Sequence, residues 1–379
     1  MNDTNLVFYD TSSIYCSGYY LEGFNELKSG RRKGIRVSNS LDSRLKAAME
    51  DPDWQHLLFA MVVFRLSKGS KEWFFCIDTH DSSSVNRTGR PDGYHLPLLR
   101  SVDAYFKVNY NPQMIENSSE LSPYRERIHG VAQFFPVLPA MRISLLRRLL
   151  LPPVLFGLKP SVAHDRPYSG ILSDARRRQQ ELRNLLPFEK IIVHRNAPKD
   201  IDIFFVTSYY GKERHEKNME TRYRIMKRLL AVSDLRVVAG FTSFQKLPEK
   251  YRDVHHQRLG RGEYVRMLAR SKVVIYTQGM EGCISSKFSL AMALGIAVIG
   301  EPLVNNPELM IKYPHLSMQF AWIDPEEITE HAIELARDPG KAGKLGALNA
   351  TLFDNQIAPR IAAQSIVDTL TANTRTPAR

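Results

Sequence analysis

Cysteine is scarce in this chain. Cys16, Cys76 and Cys283 are scattered over 379 positions. They make no disulfide framework and no paired ligand spacing, so a reducing compartment is expected and a metal cofactor is not. Long apolar runs are missing as well. No stretch of about 18 apolar residues occurs, so no helix is expected to span a membrane. The opening MNDTNLVFYDTSS has no basic region ahead of an apolar core, and no secretory leader is expected from it. Repeats and low-complexity tracts are absent. So are the Gly-x-Ser-x-Gly elbow of serine hydrolases and the Gly-x-x-x-x-Gly-Lys-Ser/Thr phosphate loop.

What remains is an ordinary globular composition, 43% hydrophobic and 24% charged, with room for two α/β domains. The formal charge of +12 predicts acidic partners: phosphates, nucleic acid or an anionic lipid surface. The first half reads as irregular α/β. Strands are expected at LVFYD (6–10), HLLFAMVVF (56–64), KEWFFCID (71–78), VDAYFKVNY (102–110) and IHGVAQFFPVLP (128–139). SGYYLEGFNELKSG (17–30) reads as a loop feeding a short helix. DSRLKAAMEDP and SDARRRQQELRNLLP (173–187) read as helices closed by proline.

The second half is more regular. Strands at 200–208, 235–241, 272–278 and 296–301 alternate with helices at 213–232, 261–271, 285–294 and 325–338. Short connections between them predict a parallel sheet with helices on both faces. The domains are expected at 1–187, the acceptor side, and 188–354, the nucleotide-sugar side. A last helix at 358–370, within a 355–379 tail, is expected to return to the first domain.

In a doubly wound sheet, ligands bind where loops leave the carboxyl ends of strands. The loop TQGMEGCISS is such a place. Gly279 and Gly282 allow close backbone approach, and Ser285 and Ser286 open a helix whose free N–H groups suit a diphosphate. Lys287 adds a charge in the first turn, and Glu281 is placed to accept from sugar hydroxyls. Taken singly, Lys287 also reads as a surface lysine and Glu281 as a helix-capping acid.

The run RGEYVRMLARSKVVIYTQGMEGCISSKFSLAMALGIAVIGEP resembles the nucleotide-sugar domain of GT-B glycosyltransferases. The resemblance extends over the region from about residue 200 onward. It implies two Rossmann-like domains facing a cleft and a nucleotide-sugar donor, with no metal. Retaining members carry a Glu, seven residues, then a second Glu. Glu281 matches the first, and Ser289 stands at the second, so an inverting outcome is favoured. Lys287 matches a basic residue that contacts the diphosphate in some members. By the same resemblance Ser208, Lys212 and Arg214 lie on the phosphate side, and Arg258 and Tyr264 along the nucleotide.

An inverting transfer needs a base on the acceptor side. Asp78, His80 and Asp81 close an apolar strand in WFFCIDTHDSSS and are the first candidates, ahead of His129 and then Asp10. The expected activity is transfer of a sugar to a hydroxyl of a glycan or lipid-linked acceptor, in surface polysaccharide synthesis. A GT-B enzyme acting on a modified DNA base is the first alternative, and a non-catalytic carbohydrate-binding relative the second. The expected location is cytoplasmic. MRISLLRRLLLPPVLFGLKP (141–160) is the segment that would touch an anionic membrane face, if its leucines are not core.

Overall fold

The computed structural model describes residues 4–28, 35–38, 40–87, 90–91, 93–140, 171–211, 215–279 and 282–372. Lys212, Arg214 and Glu281 lie outside the described residues, as does the Leu/Arg segment at 141–160. The chain is α/β and divides into two compact units, residues 1–188 with 356–379, and residues 189–355. Among the described residues no helix is long and apolar enough to cross a membrane.

The first unit is built on a six-stranded sheet. Its main strands are β1 (Thr4–Tyr9), β2 (Arg36–Val37), β3 (Met61–Lys68) and β4 (Lys71–Asp78). A small separate ribbon pairs β5 (Asn86–Arg87) with β6 (Arg90–Pro91), after which β7 (Ala104–Lys107) and β8 (Ile128–Gly130) complete the sheet. The order is β2-β1-β3-β4-β7-β8. Only β3 runs against the rest: it is antiparallel to β1 and β4, while the β1–β2, β4–β7 and β7–β8 pairs are parallel. Rossmann-like direction is therefore kept by five strands. The sixth is reversed because the tight β3–β4 hairpin turns at Gly69 with no crossover helix.

Three sequence expectations change here. Residues 14–28 form one continuous helix, Ile14–Lys28, instead of a loop and a short helix. Its glycines serve contact, not turning. A Cβ on Gly18 would sit 2.1 Å from the Val137 carbonyl oxygen, and one on Gly23 would sit 1.9 Å from that of Pro359. The helix is buried on nearly every side, so it shows no polar stripe to announce itself. The stretch 56–64 splits into a 3-10 turn, Gln55–Ala60, and the start of β3. Likewise, only Ile128–Gly130 of the run 128–139 is strand.

The last helix, Pro359–Ala372, packs on helix Ile14–Lys28 within this same unit. The Tyr19 hydroxyl donates to the Ile357 carbonyl at 2.7 Å and pins the approach.

The second unit holds a four-stranded parallel sheet of β9 (Ile201–Ser208), β10 (Val237–Thr242), β11 (Ser271–Tyr276) and β12 (Ala297–Gly300), in the order β10-β9-β11-β12. Strand order reverses between β9 and β11, which makes that crevice the topological switch point. Ile203, Phe205, Val273, Ile275, Ala297 and Ile299 face one helical layer, with Met219, Ile225, Met226 and Leu229 of helix Glu216–Leu230 and Ile328, Ala332 and Leu335 of helix Pro325–Arg337. That second helix is well signalled: Asp324 caps it, accepting from Glu326 N–H at 2.8 Å, with Pro325 in its first turn. A helix at Pro339–Leu352 follows, which the sequence pattern does not show. Its glycines depress helix propensity. One of them, Gly346, lets the helix lie where a Cβ would meet the Gly295 carbonyl oxygen at 2.3 Å.

Candidate functional site

The carboxyl edge of the second sheet gathers the phosphate-side candidates. Strand β11 ends at Tyr276, and the chain passes through Thr277, Gln278 and Gly279 before entering helix Ser286–Ala293. The loop closes on itself: Gly279 N–H donates to the Cys283 carbonyl at 3.0 Å. Gly282 sits at φ +73°, a left-handed conformation that glycine takes without strain, and its carbonyl accepts from Asn305 Nδ2 at 3.2 Å. Ser285 is the helix N-cap in extended conformation, with its side chain making no cap bond. Ser285 and Ser286 are both partly exposed.

Lys287 is not a solvated surface lysine. Its side chain turns inward and Nζ donates to the Val206 carbonyl at 2.9 Å, reaching from the helix after β11 to the end of β9. It therefore bridges the switch point. Burial, and secondly the charge of Arg222, press its pKa down from the usual lysine range to about 7.

Arg222 is the residue that the sequence reading passed over. It lies on helix Glu216–Leu230 and is 6% exposed. Nε donates to Thr277 Oγ1 at 2.9 Å and Nη2 to the Gln278 carbonyl at 3.1 Å, so the guanidinium sits directly beneath the loop. Nη1 is buried with no hydrogen-bond partner. A signal for it does exist in the sequence. Met219, Arg222, Met226 and Leu229 form a helical stripe in which one member is charged.

Glu301, just past β12, is the second missed residue. Its Oε2 accepts from Gln278 N–H at 2.5 Å, and burial raises its pKa while that bond and Arg222 oppose the rise.

Other candidates scatter around this edge. Ser208 is exposed at the end of β9. Arg258 is exposed and lies over the Phe244 ring at 3.4 Å. Tyr264 packs edge-on against Phe204 at 5.3 Å, on the sheet face opposite helix Glu216–Leu230. Ser289, at the position of the missing second Glu, is fully buried in its helix.

The first unit's carboxyl edge is organised differently. Asp78 and Lys107 are both 0% exposed and pair at 2.9 Å. The same Asp78 oxygen accepts from the Tyr105 hydroxyl at 2.7 Å, and the other accepts from His80 N–H at 2.8 Å. Burial raises the Asp78 pKa, with Lys107 opposing. Enclosed in this way, Asp78 meets His80 through the backbone N–H alone. Lys107 Nζ also donates to the His80 carbonyl at 3.1 Å, so the pair holds that backbone from both sides.

The His80 ring is buried, and its Nδ1 accepts from Ser82 N–H at 3.2 Å. The neutral ring then carries its proton on Nε2. Asp81 is exposed. His129 lies two strands away on β8, packed on Phe106 at 5.5 Å, with its pKa lowered by burial. Asp10, after β1, is buried and paired with Arg178 Nη2 at 2.9 Å. Among the described residues no group of three or more His, Cys, Asp or Glu side chains is arranged to hold a metal ion.

No protein-family model matches the chain, and no curated protein matches it in sequence. Solved structures do. The chain is similar to S. aureus TarM in complex with fondaparinux, α-GlcNAc-glycerol and UDP, at 10% identity over 80% of this chain and a TM-score of 0.42. It spans half the length of that protein. It is similar to S. aureus MnaA with UDP, at 11% identity over 98% of this chain and 97% of that one, with a TM-score of 0.42. It is also similar to T4 phage BGT in complex with UDP-glucose, at 10% identity over 97% of both chains, with a TM-score of 0.38. All three are likenesses of distant chains, with TM-scores below 0.5.

Proposed function

We propose that this chain is a glycosyltransferase that takes a sugar from a nucleotide-sugar donor and passes it to a hydroxyl of a glycan or lipid-linked acceptor, in surface polysaccharide synthesis. The observation that carries the reading is the meeting of Lys287 and Arg222 at the β9/β11 switch point, under a loop that opens a helix. Charge develops on the diphosphate as the bond to the sugar breaks. Two cations and a helix N-terminus, fixed in a partly dry site, are what stabilises that charge. The acceptor oxygen forms the new bond to the anomeric carbon, the donor's carbon–oxygen bond breaks, and the acceptor proton goes to a base. Of the first-unit candidates, Asp81 is the exposed carboxylate and takes the role of base.

The test is a panel of UDP-, GDP-, CMP- and dTDP-sugars with glycan and lipid-linked acceptors, following both free nucleotide and new glycoside. Transfer yields both products together. Isomerisation of the donor sugar leaves the nucleotide attached. In parallel, UDP, GDP, CMP and dTDP are screened for a rise in melting temperature. A protein that no nucleotide stabilises and that releases none from any donor is not this enzyme.

A further inference from the structure

We infer that Tyr105 and Lys107 are positioning residues: acting through Asp78 and the backbone of His80, they fix the loop Thr79–Ser84 in the conformation that presents Asp81, and so govern the rate of transfer without touching substrate. This rests on the transfer reading above, with Asp81 as base.

The first observation is where the buried pair stands. Asp78 and Lys107 are neighbours on β4 and β7, and the row continues to Met61 on β3 and Gly130 on β8. Met61 is fully buried, as are Cys76 and Tyr105, two residues before each partner on the same face. Apolar side chains fill such a row with no charge to desolvate, and an ion pair there is often less stabilising than its apolar equivalent. The sheet alone gives no reason for the pair.

The second observation is what the pair bonds besides itself. Asp78 Oδ1 accepts from His80 N–H at 2.8 Å, and Lys107 Nζ donates to the His80 carbonyl at 3.1 Å. Both backbone groups of His80 are therefore held by charged side chains, and charge-assisted bonds are the stronger kind. The Tyr105 hydroxyl accepts from His95 N–H at 2.9 Å and donates to Asp78 Oδ2 at 2.7 Å. It ties the carboxylate to the start of helix Leu96–Ser101.

The third observation is the loop. Thr79 donates to the Ala60 carbonyl from N–H at 3.0 Å and from Oγ1 at 2.9 Å. Ser82 N–H donates to His80 Nδ1, the Ser82 and Ser84 hydroxyls join at 2.8 Å, and the Ser84 carbonyl accepts from Tyr94 N–H at 3.2 Å. Asp81 is the exposed member of a loop whose other residues are buried or half-buried. A carboxylate that takes a proton must be held to a fraction of an ångström, and a displacement of about 1 Å costs ~100-fold in rate.

Two variants separate position from stability. Tyr105→Phe keeps the ring and the ion pair and removes the hydroxyl. Asp78→Leu with Lys107→Met removes the pair and leaves no lone charge. Amide hydrogen exchange is the first readout. In Tyr105→Phe, His80 and Ser82 are expected to lose about 10-fold in protection while Phe75 and Phe106 keep theirs. The second is transfer from whichever UDP-, GDP-, CMP- or dTDP-sugar wild type turns over. In both variants kcat is expected to fall about 10- to 100-fold, with donor KM and the melting shift given by the nucleotide unchanged. The decisive arm is Asp81→Asn. In that background Tyr105→Phe is expected to lower the rate by less than about 2-fold, because no base is left to misplace.

Unchanged protection at His80 and Ser82 overturns the inference whatever the activity. A full-rate Tyr105→Phe overturns it too, as does the same loss of rate with and without the Asp81 carboxylate, which marks the network as structural only. These results leave the transfer reading standing. A wild type that transfers from no donor overturns that reading, and this inference with it. The Tyr105 arm decides the matter whether or not the double variant folds.

Discussion

Both units hold inward-turned cations at the carboxyl edge of a sheet, and they treat them in opposite ways. In the first unit two buried cations of that edge have carboxylates: Lys107 meets Asp78, and Arg178 meets Asp10. In the second, Arg222 and Lys287 have a hydroxyl and carbonyls, and no carboxylate among the described residues. Dipoles solvate a cation without neutralising it. The first edge is thus closed electrostatically, and the second retains positive potential that a ligand can use. Asp78 and Asp10 end apolar strands as catalytic acids often do, and each is consumed by an internal cation.

The largest expected effect comes from breaking the closed side. Lys107→Met leaves the Asp78 carboxyl without its cation in a fully buried position and is expected to cost about 3–5 kcal/mol of stability. Replacing both, as Asp78→Leu with Lys107→Met, should recover part of it. Denaturant unfolding measures both variants. A single variant as stable as wild type would mean that the pair is not the closed unit described.

The next effect comes from closing the open side. Thr277→Asp places a carboxylate where Arg222 Nε now donates to a hydroxyl. Diphosphate affinity is expected to fall about 10- to 100-fold while stability holds or rises. Unchanged affinity by titration calorimetry would remove the distinction between the two edges.

The smallest effect is the pH dependence of the apo protein. The folded Lys287 pKa, about 7, lies below the ordinary value of 10.5. Between those two values the unfolded chain binds more protons, so this group makes stability rise with pH. Its penalty is full below about pH 7 and gone above about pH 10.5. Lys287→Met should therefore be more stable than wild type at pH 6.5, on the order of 1 kcal/mol, with the gap narrowing by pH 9.5. Melting curves at the two pH values decide it, and a gap that widens with pH would contradict the inward-turned lysine.

The second unit was largely legible because its signals are local. β9 to β12 are short apolar runs, and helix Pro325–Arg337 carries its cap, its N-terminal proline and its charge order in adjacent residues. The first unit was harder. Helix Ile14–Lys28 shows no amphipathic stripe because it is covered on nearly all sides, and its glycines look like turn residues until Val137 and Pro359 are seen against them. Helix Pro339–Leu352 hid behind its glycines in the same way.

The sequence by itself determined the α/β class, the alternation of the second unit, and the helix that carries Lys287. Tertiary structure alone decided which charges are spent and which are kept. Asp78 and Lys107 are 29 residues apart, Arg222 and Thr277 are 55 apart, and Lys287 and Val206 are 81 apart. The physical reason is that propensity and periodicity act over a few residues, whereas the free energy of a buried charge depends on every group that folding brings around it.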